Sequence, residues 1–227
     1  ALASVTGGNV QGYQLAQLEE AFLAALAAGA DAIYLGGKAF NARAFAENFD
    51  DETLSRCVAL AHAYGVRVYV TLNTLLYAPE LAAATDYAAR LFRMGVDAVI
   101  VADVGLADHL HRHLPGLELH ASTQLSLHST AGADEVADLG FTQVVAAREL
   151  PQKEIERLAA GAPETVEIFL HGALCVSHSG QCLFSSQVGG RSGNRGACAQ
   201  PCRLPYNGGK YLLSLKDLSL AGHIPEL

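Results

Sequence analysis

Hydrophobic and polar positions along the chain follow a repeating unit of one helix and one strand. In one such unit, apolar residues recur at helical spacing from Leu15 to Leu26, Gly29 follows the helix, and residues 32–35 form a short apolar run. A glycine just past a helix and a nearly continuous apolar strand are typical of βα units around a buried parallel sheet. The pattern predicts further strands at residues 2–5, 66–70, 98–101, 117–120, 143–146 and 166–170.

The number of these units favours an α/β fold of the TIM-like (β/α) barrel type over a Rossmann sheet. Residues 7–12, in the first βα turn, lack the glycine fingerprint of dinucleotide-binding proteins, and the sequence contains no P-loop. After residues 211–214 the pattern supplies no further βα strand, so we expect a barrel truncated before its eighth strand. We interpret residues 1–227 as one barrel domain, a fragment or one completed by a partner subunit, with a cysteine-rich insertion-like segment at about 172–210.

Polar residues end most of the predicted strands. The carboxyl ends of barrel strands surround the active site, so we expect these side chains to form the wall of one pocket. For any single residue we favour the structural explanation, that it satisfies a free backbone group at a strand end. The residues are Asn73, Asp103, Ser122, Gln124, Arg148, Glu149 and His171. Arg43, beyond the second predicted strand, is a further candidate for substrate contact.

Composition narrows the class of protein. With 51% hydrophobic and 17% charged residues, the 227-residue chain has too much apolar surface for a disordered protein. No apolar run approaches the roughly 20 residues needed to cross a bilayer, so we expect no integral membrane segment. Residues 1–8 lack the basic region of a secretory signal, which favours a cytoplasmic location. A net charge of −8 disfavours a protein that coats nucleic acid without specificity.

Four of the five cysteines are concentrated in one segment, with the spacing C-x6-C-x15-C-x3-C. This clustering indicates a metal or redox site in a reducing compartment. Zinc sites usually begin with a tight cysteine pair, whereas four thiolates from loops also suit an iron–sulfur cluster, so the spacing leaves both open. The candidate ligands are Cys175, Cys182, Cys198 and Cys202. Cys57, in a predicted helix at residues 54–64, is expected to be a buried core residue.

The same segment is basic. No acidic residue lies between Glu167 and Asp217, and this stretch includes Arg191, Arg195 and Arg203. Guanidinium groups there would offset the negative charge of four thiolates, or bind a dicarboxylate or phosphate in bidentate fashion. A solvated basic loop is the alternative, and the interleaved cysteines make us favour the functional interpretation.

Two long motifs carry a family resemblance. Residues 167–185 read E-x-F-x2-G-A-L-C-x4-G-x-C-x2-S, and residues 190–203 read G-R-S-G-N-R-G-A-C-A-Q-P-C-R. Together with stretches at 29–37, 70–74, 120–124 and 147–150, they resemble the U32 family, historically called collagenase-like peptidases. The resemblance implies a TIM-like barrel and, in the better understood members, a four-cysteine 4Fe–4S cluster. It implies Cys175, Cys182 and Cys198 as cluster ligands, with the fourth at Cys202 in some members and at a later cysteine in others.

The resemblance also implies a chemistry. Some U32 members install hydroxyl groups without molecular oxygen on a tRNA wobble uridine, an rRNA cytidine or a ubiquinone precursor, with prephenate as the implied donor for the RNA members. Others carry a peptidase label, with collagen as the supposed substrate. We expect a hydroxylase of this kind, the alternatives being a peptidase and a zinc- or cluster-stabilised scaffold for a partner subunit. Neither a G-x-S-x-G elbow nor an H-E-x-x-H helix is present, which weakens the peptidase hypothesis.

The predicted site of this hydroxylase has three groups of residues. The metal ligands are the four clustered cysteines. The predicted catalytic residues are His171, Arg148, Glu149 and Asn73. The predicted substrate-binding residues are Arg43, Gln124, Arg191, Arg195 and Arg203.

Overall fold

A computed structural model of the chain describes residues 3–4, 15–44 and 48–226. The chain forms two compact units, residues 1–119 and residues 120–227. No helix in the described ranges is both long and apolar enough to span a membrane. The assignment of residues 1–227 to a single domain stays a prediction.

The first unit alternates strands and helices. Its elements are β1 (Ala3–Ser4), α1 (Leu15–Ala27), β2 (Ala32–Gly36), α2 (Asp51–Ala63), β3 (Arg67–Leu72), a 3-10 turn (Ala78–Glu80), α3 (Leu81–Arg93), β4 (Ala98–Val101) and α4 (Val104–His113). The strand predicted at residues 2–5 is confirmed at its centre by β1, which pairs in parallel with β2. Residues 2 and 5 of the predicted first strand lie outside the described part of the chain, and so do residues 7–12 of the βα turn predicted after it.

The strands of this unit pair in parallel and in sequence order. Residues 32–36 of β2 pair with 67–71 of β3, and residues 69–72 of β3 pair with 98–101 of β4. All four residues of β4 are buried, as expected for a parallel strand covered on both faces. Gly65 and Gly95 follow α2 and α3 with φ angles of 71° and 88°, a conformation that glycine adopts without strain. The predicted βα pattern is therefore confirmed here.

Cys57 belongs to the hydrophobic core of the first unit. It lies in α2 beside Leu54, Val58 and Ala61, all of them buried. Burial raises the pKa of the Cys57 thiol to about 11, so the group stays protonated and unreactive at neutral pH. The prediction of a buried core cysteine is confirmed.

The strand β5 (Glu118–Ala121) lies at the boundary in the sequence between the two units. The second unit continues with a 3-10 turn (Thr123–Leu125), α5 (Thr130–Asp138), β6 (Phe141–Val145), α6 (Gln152–Gly161), β7 (Thr165–Glu167), β8 (His171–Gly172), α7 (Phe184–Gly189), two 3-10 turns (Gly193–Arg195 and Pro201–Arg203), β9 (Leu218–Ser219) and a last 3-10 turn (Ala221–Glu226).

The strand predicted at residues 166–170 is shorter in the structure. Residues 165–167 of β7 pair in parallel with 143–145 of β6. The chain then leaves this sheet, and β8 pairs antiparallel with β9. The backbone N–H of Leu220 also donates to the carbonyl of Leu170, at 2.8 Å. This second partner ends the parallel strand early, and the described residues of this unit contain no further parallel strand after β7.

Candidate functional site

The Arg148–Glu149 turn lies three residues after the end of β6 and forms the centre of a hydrogen-bonded cluster in the second unit. Ser179, which is 1% exposed, donates to Glu149 through its backbone N–H (3.2 Å to Oε1) and through its hydroxyl (3.2 Å to Oε2). Arg148 donates from Nε to the same hydroxyl at 3.4 Å and from a terminal nitrogen to the carbonyl of Ala173 at 3.3 Å. Three hydrogen bonds through Ser179 thus connect this turn to the stretch between Cys175 and Cys182, and a fourth connects it to Ala173, two residues before Cys175.

Two histidines face the same oxygen of Glu149. His128 Nε2 lies 3.2 Å from Oε1 and His178 Nδ1 lies 3.1 Å from it. Burial opposes ionisation of this carboxyl, but hydrogen bonds from backbone N–H groups, His178 and Ser179 outweigh it and hold the pKa of Glu149 below its usual value. Glu149 is therefore a carboxylate at neutral pH.

Gly180 allows the cysteine segment to approach the turn around Gln124. Its φ angle is +73°, and a Cβ atom at this position would lie 2.6 Å from the backbone oxygen of Gln124. The Ser126 hydroxyl also donates to the Ser179 carbonyl. Gln124, a predicted substrate-binding residue, therefore lies beside the Ser179–Gly180 step.

The four clustered cysteines lie in loops and turns of the second unit, and none forms a disulfide. Burial raises the pKa of Cys202, and the thiols of Cys175 and Cys198 raise it further while Arg203 opposes the shift. Cys175 and Cys198 therefore lie near enough to Cys202 for their charge to affect it. Cys182 is linked to this region through Gly193, where an added Cβ would lie 3.6 Å from the Cys182 carbonyl and 3.9 Å from the Cys198 sulfur.

Backbone groups support the sulfur atoms. Phe184 N–H donates to Cys182 Sγ at 3.4 Å, and Gln200 N–H donates to Cys198 Sγ at 3.3 Å. The buried Ser185 hydroxyl accepts from Ala199 N–H at 2.9 Å, which holds the Cys198 loop on α7. N–H groups aimed at sulfur stabilise thiolates that ligate a metal.

Two of the predicted substrate-binding arginines hold the loop backbone. Arg191 donates from Nε to the carbonyl of Ala197 at 2.9 Å, and Arg203 donates to the carbonyl of Leu174 at 3.1 Å. The Arg203 contact joins the Cys202 turn to the residue before Cys175, and the Arg191 contact holds the residue before Cys198. Arg195 ends the 3-10 turn Gly193–Arg195. The substrate-binding roles of these arginines stay predictions.

The remaining predicted residues lie elsewhere. His171 is exposed in β8, paired with Ser219, and the histidines that face Glu149 are His128 and His178 instead. In the first unit, Asn73 accepts from Ala42 N–H at 2.9 Å, and Arg43 N–H donates to the buried Asn41 at 2.7 Å. The functional roles of His171, Asn73 and Arg43 stay predictions, as does the common pocket formed from all the strand ends.

Asp103 has a structural explanation. One carboxylate oxygen accepts from Leu106 N–H at 2.9 Å and caps α4, while the other accepts from Leu76 N–H at 3.0 Å. Ser122 similarly caps the turn at Thr123–Leu125 through Gln124 N–H, at 3.2 Å. For these two residues, the interpretation as strand-end polar groups accounts for the contacts observed.

A cavity of about 320 Å³ opens beside Arg148 in the second unit. Its lining is mostly apolar, and the residues include Arg148, Leu150, Ile155, Phe169, Leu220 and His223. An apolar cavity with one guanidinium group suits a small ligand that combines a ring with an anionic group.

The family model described as Peptidase family U32 matches residues 17–227. The chain belongs to this family. A 23S rRNA 5-hydroxycytidine C2501 synthase from Escherichia coli is 45% identical to this U32 chain over 199 residues, covering 83% of the chain and 30% of that protein. The tRNA hydroxylation protein P1 of Bacillus subtilis is 33% identical, covering 88% of the chain and 51% of that protein. A protein named collagenase from Porphyromonas gingivalis is 34% identical, covering 92% of the chain and 55% of that protein. The chain thus spans 30% to 55% of the length of these relatives.

Solved structures show the fold. The U32 peptidase Mk0906 superposes with a TM-score of 0.54 at 17% identity, covering 64% of this chain and 62% of that one. A deoxyribose phosphate aldolase from Aeropyrum pernix superposes with a TM-score of 0.51 at 19% identity, covering 70% of this chain and 66% of that one. With the parallel βα units described above, these similarities confirm the TIM-like (β/α) barrel class for the U32 chain.

Sequence reasoning missed three members of the Glu149 cluster as site residues. Ser179 and His178 lie inside the x4 spacer between Cys175 and Gly180, where the motif itself fixes no residue type. His128 lies outside both long motifs. The signal for Ser179 was its position directly before a glycine that the motif specifies, since such a glycine often marks close backbone approach.

Proposed function

We propose that this chain is part of an enzyme that hydroxylates an RNA base without molecular oxygen, with a 4Fe–4S cluster held by Cys175, Cys182, Cys198 and Cys202. The observation that carries the proposal is the direct link between the cysteine segment and the Arg148–Glu149 turn through Ser179. It places the candidate ligands in one unit with a cationic and an anionic side chain at a strand end. The relatives named for rRNA and tRNA hydroxylation support RNA as the acceptor.

The four cysteines suit the thiolate ligation of an iron–sulfur cluster, and a single zinc ion is the alternative that the same soft ligands allow. The N–H groups aimed at Cys182 and Cys198 and the arginines of the segment suit the negative charge of such a group.

In this proposal, the cluster and the side chains of the second unit have different roles. The bound cluster would supply electron transfer or a Lewis-acidic iron. Arg148, with Arg191 and Arg195, would hold an anionic oxygen donor, for which prephenate is our candidate because its carboxylates suit guanidinium groups. The cavity beside Arg148, with a volume of about 320 Å³ and a mostly apolar lining, has room for a small ring. Glu149 fixes Ser179 and so keeps the cysteine segment next to Arg148.

Two other acceptors compete with RNA. A ubiquinone precursor would use the same apolar cavity. A peptide is supported by the relative named collagenase, although the sequence carries no recognisable serine or zinc protease motif. A metal-stabilised scaffold without activity is the remaining alternative.

The first experiment measures iron and acid-labile sulfide in anaerobically purified protein. We expect a brown protein whose iron content collapses in the Cys175→Ala and Cys182→Ala variants and is unchanged in Cys57→Ala, because Cys57 is buried in the first unit. A colourless protein with one zinc ion per chain would contradict the cluster.

The second experiment identifies the acceptor. Anaerobic incubation of the iron-loaded protein with tRNA, rRNA or a ubiquinone precursor, each with prephenate, is followed by mass spectrometry for the gain of one oxygen atom. We expect the gain in one of the RNA substrates and its loss in Arg148→Gln with the cluster retained. Collagen cleavage that survives Cys175→Ala, without any RNA hydroxylation, would overturn the proposal in favour of a peptidase.

A further inference from the structure

His128, Glu149 and His178 come from three separate stretches of the second unit and bring three metal-ligating atoms together. His128 follows the turn Thr123–Leu125, Glu149 follows β6, and His178 lies between Cys175 and Cys182. The three candidate ligand atoms all lie within 4.8 Å of one another. None of the four cysteines takes part, so this cluster is distinct from the proposed iron–sulfur site.

The spacing of these atoms fits a common metal ion. Histidine nitrogen and carboxylate oxygen bind first-row divalent metals at about 2.0–2.2 Å, which places neighbouring ligands about 2.8–3.6 Å apart in octahedral or tetrahedral geometry. The observed separations from Glu149 Oε1 are 3.2 Å to His128 Nε2 and 3.1 Å to His178 Nδ1. Two of the three separations therefore match those around a bound ion, and the two histidine nitrogens lie within 4.8 Å of each other.

Hydrogen bonds to neighbouring groups fix the positions of His128 and Glu149, as is common for the ligands of a metal ion. His128 Nδ1 lies 2.5 Å from the carbonyl of Ser126, and this contact orients the ring with Nε2 toward Glu149. Glu149 is itself fixed by the N–H and hydroxyl of Ser179. In metal sites, the histidine nitrogen that does not bind the metal usually donates to a backbone carbonyl. The ligating carboxylate usually accepts hydrogen bonds from nearby donors.

The cluster is open on one side. The side chain of His178 is 72% exposed, whereas that of Glu149 is 26% exposed. Three protein ligands leave coordination positions for water or for an oxygen-donor ligand. Arg148, joined to Glu149 through the Ser179 hydroxyl, would attract an anionic ligand to those positions.

We propose that His128, Glu149 and His178 bind one divalent first-row transition metal ion, with the open positions available to water or a small anionic oxygen donor. Two histidines and one carboxylate with open positions are the ligand set of many mononuclear sites. The proposal rests on the geometry of these three side chains and not on the proposed hydroxylation.

Mn²⁺ tests the site because thiolates are poor ligands for it, so the cysteine segment does not compete. Anaerobically purified, iron-loaded protein is titrated with Mn²⁺, and free Mn²⁺ is measured by electron paramagnetic resonance. We expect saturation at one ion per chain and a loss of about tenfold or more in affinity for Glu149→Gln and for His178→Gln. Spin-echo modulation from imidazole nitrogen in the unmodified protein reports ligation by histidine without any substitution.

The control uses another pair of histidines. His109 and His113 have ring centroids 4.1 Å apart on the exposed face of α4 and could capture ions unspecifically. The variant with both changed to alanine should bind Mn²⁺ as the unmodified protein does. No saturable binding, no nitrogen modulation, or equal affinity in Glu149→Gln and the unmodified protein would overturn the proposal. The iron content measured in the same samples separates this outcome from a failure of the iron–sulfur proposal.

Discussion

Gly180 is a position at which the second unit depends on the absence of a side chain. It adopts a φ angle of +73°, and its α-carbon faces the backbone of Gln124 closely enough that a Cβ atom would lie 2.6 Å from the Gln124 oxygen. Ser179, one residue earlier, makes the hydrogen bonds to Glu149. The close approach of Gly180 to Gln124 and the hydrogen bonds of Ser179 to Glu149 therefore depend on the same backbone conformation at residues 179–180.

At this scale we predict that Gly180→Ala lowers the free energy of unfolding by about 2 kcal/mol or more, because the left-handed conformation and the clash with a backbone oxygen add together. Urea unfolding of anaerobically purified protein measures it. The matched control is Gly189→Ala at the end of α7, where an added Cβ meets nothing within 4 Å; we expect a change within about 0.5 kcal/mol. Equal stability of the two variants would contradict the close approach.

Among the secondary-structure elements, α4 depends on a carboxylate that the sequence pattern placed in the candidate pocket. Asp103 caps the helix through Leu106 N–H and also accepts from Leu76 N–H. We expect Asp103→Ala to lower the free energy of unfolding by about 1–2 kcal/mol. Asp108→Ala is the control on the same helix, since its exposed ion pair with Arg112 contributes at most about 0.5 kcal/mol. A loss of activity without a loss of stability in Asp103→Ala would indicate a direct functional role instead.

The strand β7 ends in a carboxyl group that makes stability depend on pH. Burial raises the pKa of Glu167, and the hydrogen bond of 2.5 Å from Gln143 Nε2 on β6 only partly opposes the shift. The folded protein therefore binds the proton more tightly than the unfolded chain. Stability from this group is fully present below the unfolded pKa and is lost as pH rises through the folded pKa.

We accordingly predict that Glu167→Gln is more stable than the unmodified protein at pH 7, and that the difference vanishes as pH falls below the unfolded pKa of glutamate. The amide keeps a partner for Gln143 without the cost of burying a charge. Unfolding free energies of both proteins across this pH range measure the effect. The exposed Glu135→Gln variant serves as the control, and a difference that does not change with pH would argue against the buried carboxylate.

For the whole molecule, the two units differ in what holds them together. The first unit has a continuous apolar core of strands and helices. The segment at residues 172–210 has little regular structure and leaves Leu183, Val188 and Leu204 exposed. If the proposed cluster is bound there, its bonds to the cysteines supply stabilisation that apolar packing does not.

We therefore predict that removal of the cluster by chelation accelerates amide hydrogen exchange at residues 172–210 and leaves α2 and α3 unchanged. Metal ligation stabilises only the backbone that it connects, and the core of the first unit contains none of the four candidate ligands. Exchange measured by mass spectrometry before and after chelation tests this. Equal acceleration in both units would mean that the cysteines do not hold a local metal group.

The sequence alone determined the features that depend on local pattern. The spacing of apolar residues and the positions of glycines predicted the βα units. A buried parallel strand and a helix C-terminus each have a recognisable pattern within a few residues. The cysteine spacing and the U32 motifs likewise predicted the candidate ligands, and Cys57 was correctly assigned to the core from its place on a helix face.

Tertiary structure alone decided how residues distant in sequence meet. The chain turns away after Glu167 because β8 finds an antiparallel partner in β9, which no pattern within residues 166–170 signals. Asp103 became a helix cap because Leu76 and Leu106 both bring free N–H groups to it. Glu149 faces His128 and His178 only because three separate stretches converge on one carboxylate oxygen. Such contacts depend on the path of the whole backbone, which the local pattern of apolar and polar residues does not determine.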